Sequence, residues 1–185
     1  MNANTILNVE DIVNTFRLRG ASEYGGEKVT QLQHALQAAM SAEQEQGSPE
    51  LISAALLHDF GHLLHNLPDD APDQGVDDFH ENTGHNALAR LFPLAVVEPI
   101  KLHVSAKRYL CTTDSNYFSK LSEASVTSLK LQGGTMSAEE LTVFESHSYW
   151  QDALRLRIWD DLAKDPNLQT PDLQHFIPYL LTAQT

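Results

Sequence analysis

Residues 48–62 read SPELISAALLHDFGH, and this stretch decides the fold class. Ser48, Pro49 and Glu50 are an N-cap, a proline at the first helical position and an acid in the first turn, which together mark a helix start. The LISAALL run that follows is apolar on every side, so it reads as a helix buried nearly all round. Such a helix carries His58 and Asp59 together into the interior. A buried carboxylate without a partner is costly. The partner is either a metal ion or one of the chain's only twelve basic residues.

Outward from this helix, apolar residues recur at helical spacing almost everywhere, and alternating runs bounded by turns are hard to find. Helices are predicted over Val9–Arg19 and Lys28–Gln46, each stopped by a glycine, Gly20 and Gly47, at the position after the helix. The SEYGGE segment between them is a flexible loop. Residues 66–78 (NLPDDAPDQGVDD) read as an ordered loop, followed by a helix over about Glu81–Leu91 with His80 at its entrance. Further helices are expected over 95–110, 114–121, 123–131, 137–147, 149–163 and 172–183, with Ser137 and Glu140 forming a capping box. The expectation is all-α, a single helical bundle over 1–185.

With 185 residues, 42% hydrophobic and 20% charged, the chain suits one soluble core. No apolar run approaches the roughly 18 residues that span a bilayer, and the start lacks a leader pattern, so a cytoplasmic protein is expected. One cysteine excludes an intramolecular disulfide. A formal charge of −13 opposes nucleic acid and anionic membranes as partners, so an anionic substrate needs a local cationic pocket.

Nine histidines is more than usual for this length, and their placement matters more than their number. On the second helix Val29, Leu32, Leu36, Ala39 and Met40 make an apolar stripe, and His34 points nearly opposite to it. The small residues Ala35, Ala38 and Ser41 near His34 would let another helix approach. A solvated surface histidine is the plain alternative. Imidazoles and carboxylates together suit iron, manganese or zinc.

His34, then His58-Asp59, then the distant Asp160 resembles the H…HD…D signature of the HD-domain superfamily, mostly metal-dependent phosphohydrolases with an all-helical core. His80 and His103 match the two further ligands of its dinuclear members. The resemblance implies His34, His58, Asp59 and Asp160 on one metal and Asp59, His80 and His103 on the other, with Asp59 bridging. The segments YGGE (24–27), QLQHALQAA, LLHDFGH, HVSAKRYL, SEAS, LQGGTM and RIWDD extend it along nearly the whole chain. There it is similar to the HD-domain di-iron oxygenases of phosphonate catabolism, relatives of myo-inositol oxygenase.

That likeness implies a mixed-valent Fe(II)/Fe(III) pair, O₂ as co-substrate and a small-molecule aminophosphonate. The substrate is 1-hydroxy-2-aminoethylphosphonate or its N-trimethyl form, cleaved to phosphate and glycine or glycine betaine. It places Lys107, Ser125 and Gln132 on the phosphonate and Glu27 on the substrate cation. Tyr24 would be a mobile gate able to occupy the metal before substrate arrives. Lys107 lies four residues after His103, on the same helical face. His62 lies four after His58 and reaches the site if the helix persists, in a substrate-facing or catalytic role. His65, His85, His147 and His175 have no motif support. The alternative is an HD phosphohydrolase acting on a nucleotide or phosphoester, which shares every ligand, and a third reading is a regulatory HD domain without catalysis.

Overall fold

Side-chain caps set most of the helix ends. In the computed structural model, residues 6–65 and 75–185 are described. Asn8 and Asp11 form a capping box that starts α1 (Val9–Arg19). Thr30 and Gln33 form another at α2 (Gln31–Gln44). Ser48 caps α3 (Pro49–Leu57), and α4 (His80–Leu88) follows Phe79. Then come α5 (Leu94–Thr113), the short α6 (Ser115–Phe118), α7 (Glu123–Leu131) capped by Ser122, and α8 (Ala138–Glu145) with its Ser137–Glu140 box. The last two are α9 (Trp150–Leu162) and α10 (Leu173–Ala183). Among the described residues there is no strand, only a single bridge between Glu23 and Thr30, so the all-α expectation holds.

Several ends differ from expectation for tertiary reasons. The second helix starts at Gln31, not Lys28, because Thr30 takes the cap. Neither stopping glycine is left-handed. Gly20 is instead needed for closeness, since a Cβ there would sit 2.5 Å from the Phe16 carbonyl oxygen and 2.9 Å from Leu32 Cβ. The third helix ends at Leu57, and the chain tightens into a 3₁₀ turn over Phe60–Leu64. The fourth begins a residue early, at His80, and stops at Leu88. Most of the loop read at 66–78 lies outside the described residues.

Helix α3 is the axis of the bundle: all seven residues from Leu51 to Leu57 are buried. Around it pack α2, α5, α9 and α10. Ile12 and Phe16 of α1 join Ala39, Ile100, Leu156, Trp159 and Phe176 of these helices to close one core. A smaller cluster, Ala106, Met136, Phe144 and Ala153, seats α8 against α5 and α9. No helix among the described residues is long and apolar enough to cross a membrane.

Candidate metal and substrate site

Where α2, the end of α3, the start of α4, α5 and α9 meet, six polar side chains converge inside the apolar bundle. His34 on α2 is fully buried, as its small neighbours allow, so the solvated alternative fails. His58 and Asp59 lie in the turn after α3, His80 is the first residue of α4, and His103 and Asp160 sit within α5 and α9. All six are buried.

Their hydrogen bonds define what the site can hold. His34 Nδ1 is 2.9 Å from the Ala163 carbonyl oxygen, His58 Nδ1 2.8 Å from that of Ala55, and His103 Nδ1 2.6 Å from that of Ile100. His80 Nδ1 is 2.8 Å from the Asp78 carboxylate. A carbonyl or carboxylate accepts only, so each Nδ1 carries a proton, and each ring, wherever Nε2 is free of a proton of its own, presents an Nε2 lone pair inward.

Those lone pairs face one another, with Nε2 of His34 and His58 3.0 Å apart and Nε2 of His80 and His103 3.1 Å apart. Asp59 stands between the pairs. Its Oδ2 is 3.4 and 3.3 Å from His34 and His58, and its Oδ1 is 3.3 and 3.4 Å from His80 and His103, without a hydrogen-bond partner. Acceptors crowded on acceptors around an orphaned carboxylate oxygen need cations between them, and the residues present fit metal ions. The ligand atoms fall into two groups, His34, His58, Asp59 and Asp160, and Asp59, His80 and His103, the partition that the motif implies.

Burial pushes the His103 imidazole down to about 4, in keeping with a neutral ring. Burial would also lower His58 and His80, but Asp59, with Asp160 at one and Asp78 at the other, draws protons onto them and raises both to about 10. A metal competes with those protons for the same nitrogens.

Beside the cluster opens a cavity of about 100 Å³ lined by Tyr24, Glu27, His62, Lys107, Ser125 and Gln132 among others, so every expected substrate-site residue reaches it. Lys107 is buried and donates to Ser128 Oγ at 2.8 Å. Burial, then the Arg157 charge, lowers its ammonium to about 7. Tyr24 stacks on His34 with ring centroids 3.7 Å apart, and its hydroxyl is 3.4 Å from Asp160 Oδ1. Gln132 ends α7 with its side-chain oxygen buried and unpartnered.

No protein-family model matches the chain. It is 44% identical over 170 residues to a 1-hydroxy-2-(trimethylamino)ethylphosphonate dioxygenase (glycine-betaine-forming) of Leisingera caerulea, covering 92% of this chain and 87% of that protein. It is 46% identical over 171 residues to a hydroxymethylphosphonate dioxygenase of Gimesia maris, covering 90% and 85%. An uncharacterized protein of Acanthamoeba polyphaga mimivirus is 41% identical over 162 residues, covering 86% and 74%.

The chain belongs to the phosphonate dioxygenases. The oxygenase reading therefore holds over the phosphohydrolase and regulatory ones: the protein is an oxidoreductase that cleaves a carbon–phosphorus bond, and its buried histidines and aspartates are grouped as a metal ion would need them.

In this phosphonate dioxygenase His62 reaches the cavity by another route than expected. The helix does not persist, and the 3₁₀ turn instead stacks His62 on His80, with centroids 4.0 Å apart. His62 Nδ1 is 2.6 Å from Asp78 Oδ2, and its Nε2 is 3.9 Å from Asp59 Oδ1. Burial, then the His80 charge, lowers its pKa. Gly61 makes this possible: a Cβ there would lie 2.0 Å from the His80 carbonyl oxygen. Of the histidines without motif support, His65 also reaches Asp78 Oδ2, at 2.8 Å, while His85 and His147 meet Glu98 and His175 meets Glu43.

Sequence reasoning missed Asp78, Arg157 and Lys164. Phe79, left-handed at φ 49°, turns the chain so that the Asp78 carboxylate faces both His80 and His62, and nothing local announces it. Buried Arg157 donates to Asp160 Oδ2 at 2.8 Å and also pairs with Asp161 and Tyr117. Burial would raise Asp160, but Arg157 and bonds from His34 and His58 hold it well below the usual carboxylate range. The three- and four-residue spacing from Arg157 to Asp160 and Asp161 is a legible helical signal. Lys164 Nζ lies 3.2 Å from Glu27 Oε1 and 3.0 Å from Ser125 Oγ.

Proposed function

We propose that this chain is a single HD-type domain holding an Fe(II)/Fe(III) pair, and that it oxidises a 1-hydroxyphosphonate with O₂ to inorganic phosphate and a carboxylate. Its substrates are 1-hydroxy-2-aminoethylphosphonate, or the N-trimethyl form, giving glycine or glycine betaine. The hydroxymethylphosphonate relative shares the hydroxyl-bearing carbon on phosphorus, so that group is the common determinant. The observation that carries this reading is a cationic, hydroxyl-rich wall, Lys107 with Ser125 and Ser128, standing against a two-part histidine–aspartate cluster in a chain of net charge −13.

Bound at the six side chains, iron supplies the redox chemistry that activates dioxygen and polarises the substrate hydroxyl. The protein's residues do the rest. Lys107 neutralises phosphonate charge, with Ser125 and Gln132 oriented by α7 to fix its oxygens. His62, its Nδ1 proton on Asp78, offers Nε2 to hold the proton of the substrate hydroxyl. Glu27 meets the substrate cation, and Tyr24 covers the cluster until the substrate enters. Arg157 keeps Asp160 ionised and aimed at the metal.

Iron-loaded protein given each of the three 1-hydroxyphosphonates, followed by an oxygen electrode and a phosphate assay, tests the reading. One O₂ consumed per phosphate released is expected with at least one of them, and no oxygen uptake with any of them overturns it.

A further inference from the structure

His62 and His65 stand three residues apart along and just past the 3₁₀ turn that follows α3, and residues at that spacing eclipse in such a turn, so both rings leave the backbone on one side. Their centroids are 5.9 Å apart and their planes nearly perpendicular, at 85°. The far end of the turn is tied down, since Arg19 donates to the carbonyl oxygens of Leu63 and His65 at 2.9 and 3.0 Å. From the other side comes Asp78, whose Oδ2 lies 2.6 Å from His62 Nδ1 and 2.8 Å from His65 Nε2. Its Oδ1 is already engaged by His80 Nδ1, at 2.8 Å.

One carboxylate thus serves three imidazoles, two of which converge on a single oxygen. His62, His65 and Asp78 each offer a ligand atom within 4.8 Å of the others', a third group beside the two of the buried cluster. Two imidazole nitrogens and a carboxylate oxygen are the donor set of a zinc-class divalent ion that keeps one position for water. Side-chain exposures of 26% for His62, 24% for His65 and 14% for Asp78 give that position access to solvent, whereas the six residues of the inner cluster are buried. A chain of net charge −13 draws cations toward such a place. His62 belongs to both centres: its Nε2 lies 3.9 Å from Asp59 Oδ1, and its Nδ1 faces Asp78.

We propose that His62, His65 and Asp78 form an outer site for a divalent transition-metal ion of the zinc class, and that an ion there inhibits the enzyme by fixing His62 in the wrong tautomer. The binding half stands by itself; the inhibition half rests on the role given to His62 above. While Asp78 accepts the Nδ1 proton, Nε2 has the lone pair that takes up the proton of the substrate hydroxyl. An ion on Nδ1 needs the lone pair there, so the single proton of the neutral ring moves to Nε2, which turns from acceptor into donor.

Zinc added to iron-loaded protein without substrate, with both metals then counted by mass spectrometry after gel filtration, tests the binding half. One zinc per chain is expected on top of unchanged iron in the wild-type protein. His65→Ala should keep its iron and hold the added zinc about tenfold more weakly or worse. His65→Gln, which can still donate to Asp78 but ligates zinc poorly, should show the same loss and serves if the alanine variant does not fold. Oxygen uptake on whichever 1-hydroxyphosphonate is turned over should fall in step with the added zinc and return when a chelator removes it. In His65→Ala it should start at the wild-type rate and need about ten times more zinc to fall. No added zinc in the wild-type protein, zinc gained only as iron is lost, or equal zinc affinity in all three proteins overturns the site. Zinc held through His65 with oxygen uptake unchanged overturns the inhibition. The metal counts are read without substrate, so they stand apart from the phosphonate reading, whose failure would show as no oxygen uptake before any zinc is added.

Discussion

Gly61 is where one methyl group should dismantle half of the metal site. An alanine Cβ there would lie 2.0 Å from the His80 carbonyl oxygen, 2.8 Å from the His80 carbonyl carbon and 3.0 Å from the Gly84 amide nitrogen, all backbone atoms. Reaching even 3.0 Å, the limit below which real Cβ contacts essentially never fall, requires α4 to retreat by about 1 Å. His80 is its first residue and moves with it. Overpacking of this kind costs about 1–3 kcal/mol, so for a chain of this size Tm falls by roughly 2–12 °C and the bundle survives. The site does not survive as well, since a ligand displaced by 1 Å costs on the order of 100-fold in rate. Gly84→Ala on the same crossing is the control, because its Cβ would meet nothing nearer than 3.4 Å, and alanine within a helix gains about 0.5–1 kcal/mol over glycine. Metal content by mass spectrometry, kcat and Tm should show Gly61→Ala folded, short of the ion held by His80 and His103, and about 100-fold slower, beside an active, slightly stabilised Gly84→Ala. Full metal content with kcat within threefold of wild type in Gly61→Ala would refute the reasoning.

Two further outcomes follow from buried cations. Lys107 is lowered to about 7 and must be charged to bind an anion, so kcat/KM should fall as pH rises through about 7, and a pH profile of Lys107→Met should lack that alkaline limb. Arg157→Met leaves the carboxylates of Asp160 and Asp161 and the Tyr117 hydroxyl without their shared donor, a loss of about 3–5 kcal/mol that urea denaturation will read, with Arg157→Lys recovering part of it.

Local chemistry was legible in the sequence and long-range chemistry was not. The bounds of α1 and α7 follow from Asn8, Arg19, Ser122 and Leu131, whose signals are all within a turn of the ends they mark. The helix break before His58 depends on Gly61 meeting α4, a contact no local pattern contains, and it changed how His62 enters the site. The six-residue histidine–aspartate pattern survived because spacing along a motif encodes it. Asp78 and Lys164 were invisible because their partners share neither a motif nor a helix face with them; they meet His62 and Glu27 only once the bundle has closed.

The hydrogen bond from His34 to the Ala163 carbonyl joins residues 129 apart in sequence, and the six polar residues of the cluster come from five separate parts of the chain. Most contacts in a helical protein are local and form early, whereas these close last, when α9 docks beside α2 and α3. A nascent chain therefore has nowhere to assemble the complete site until its final third has emerged. A metal ion, on this topology, would be fitted to a finished bundle and would afterwards rivet its first helices to its last.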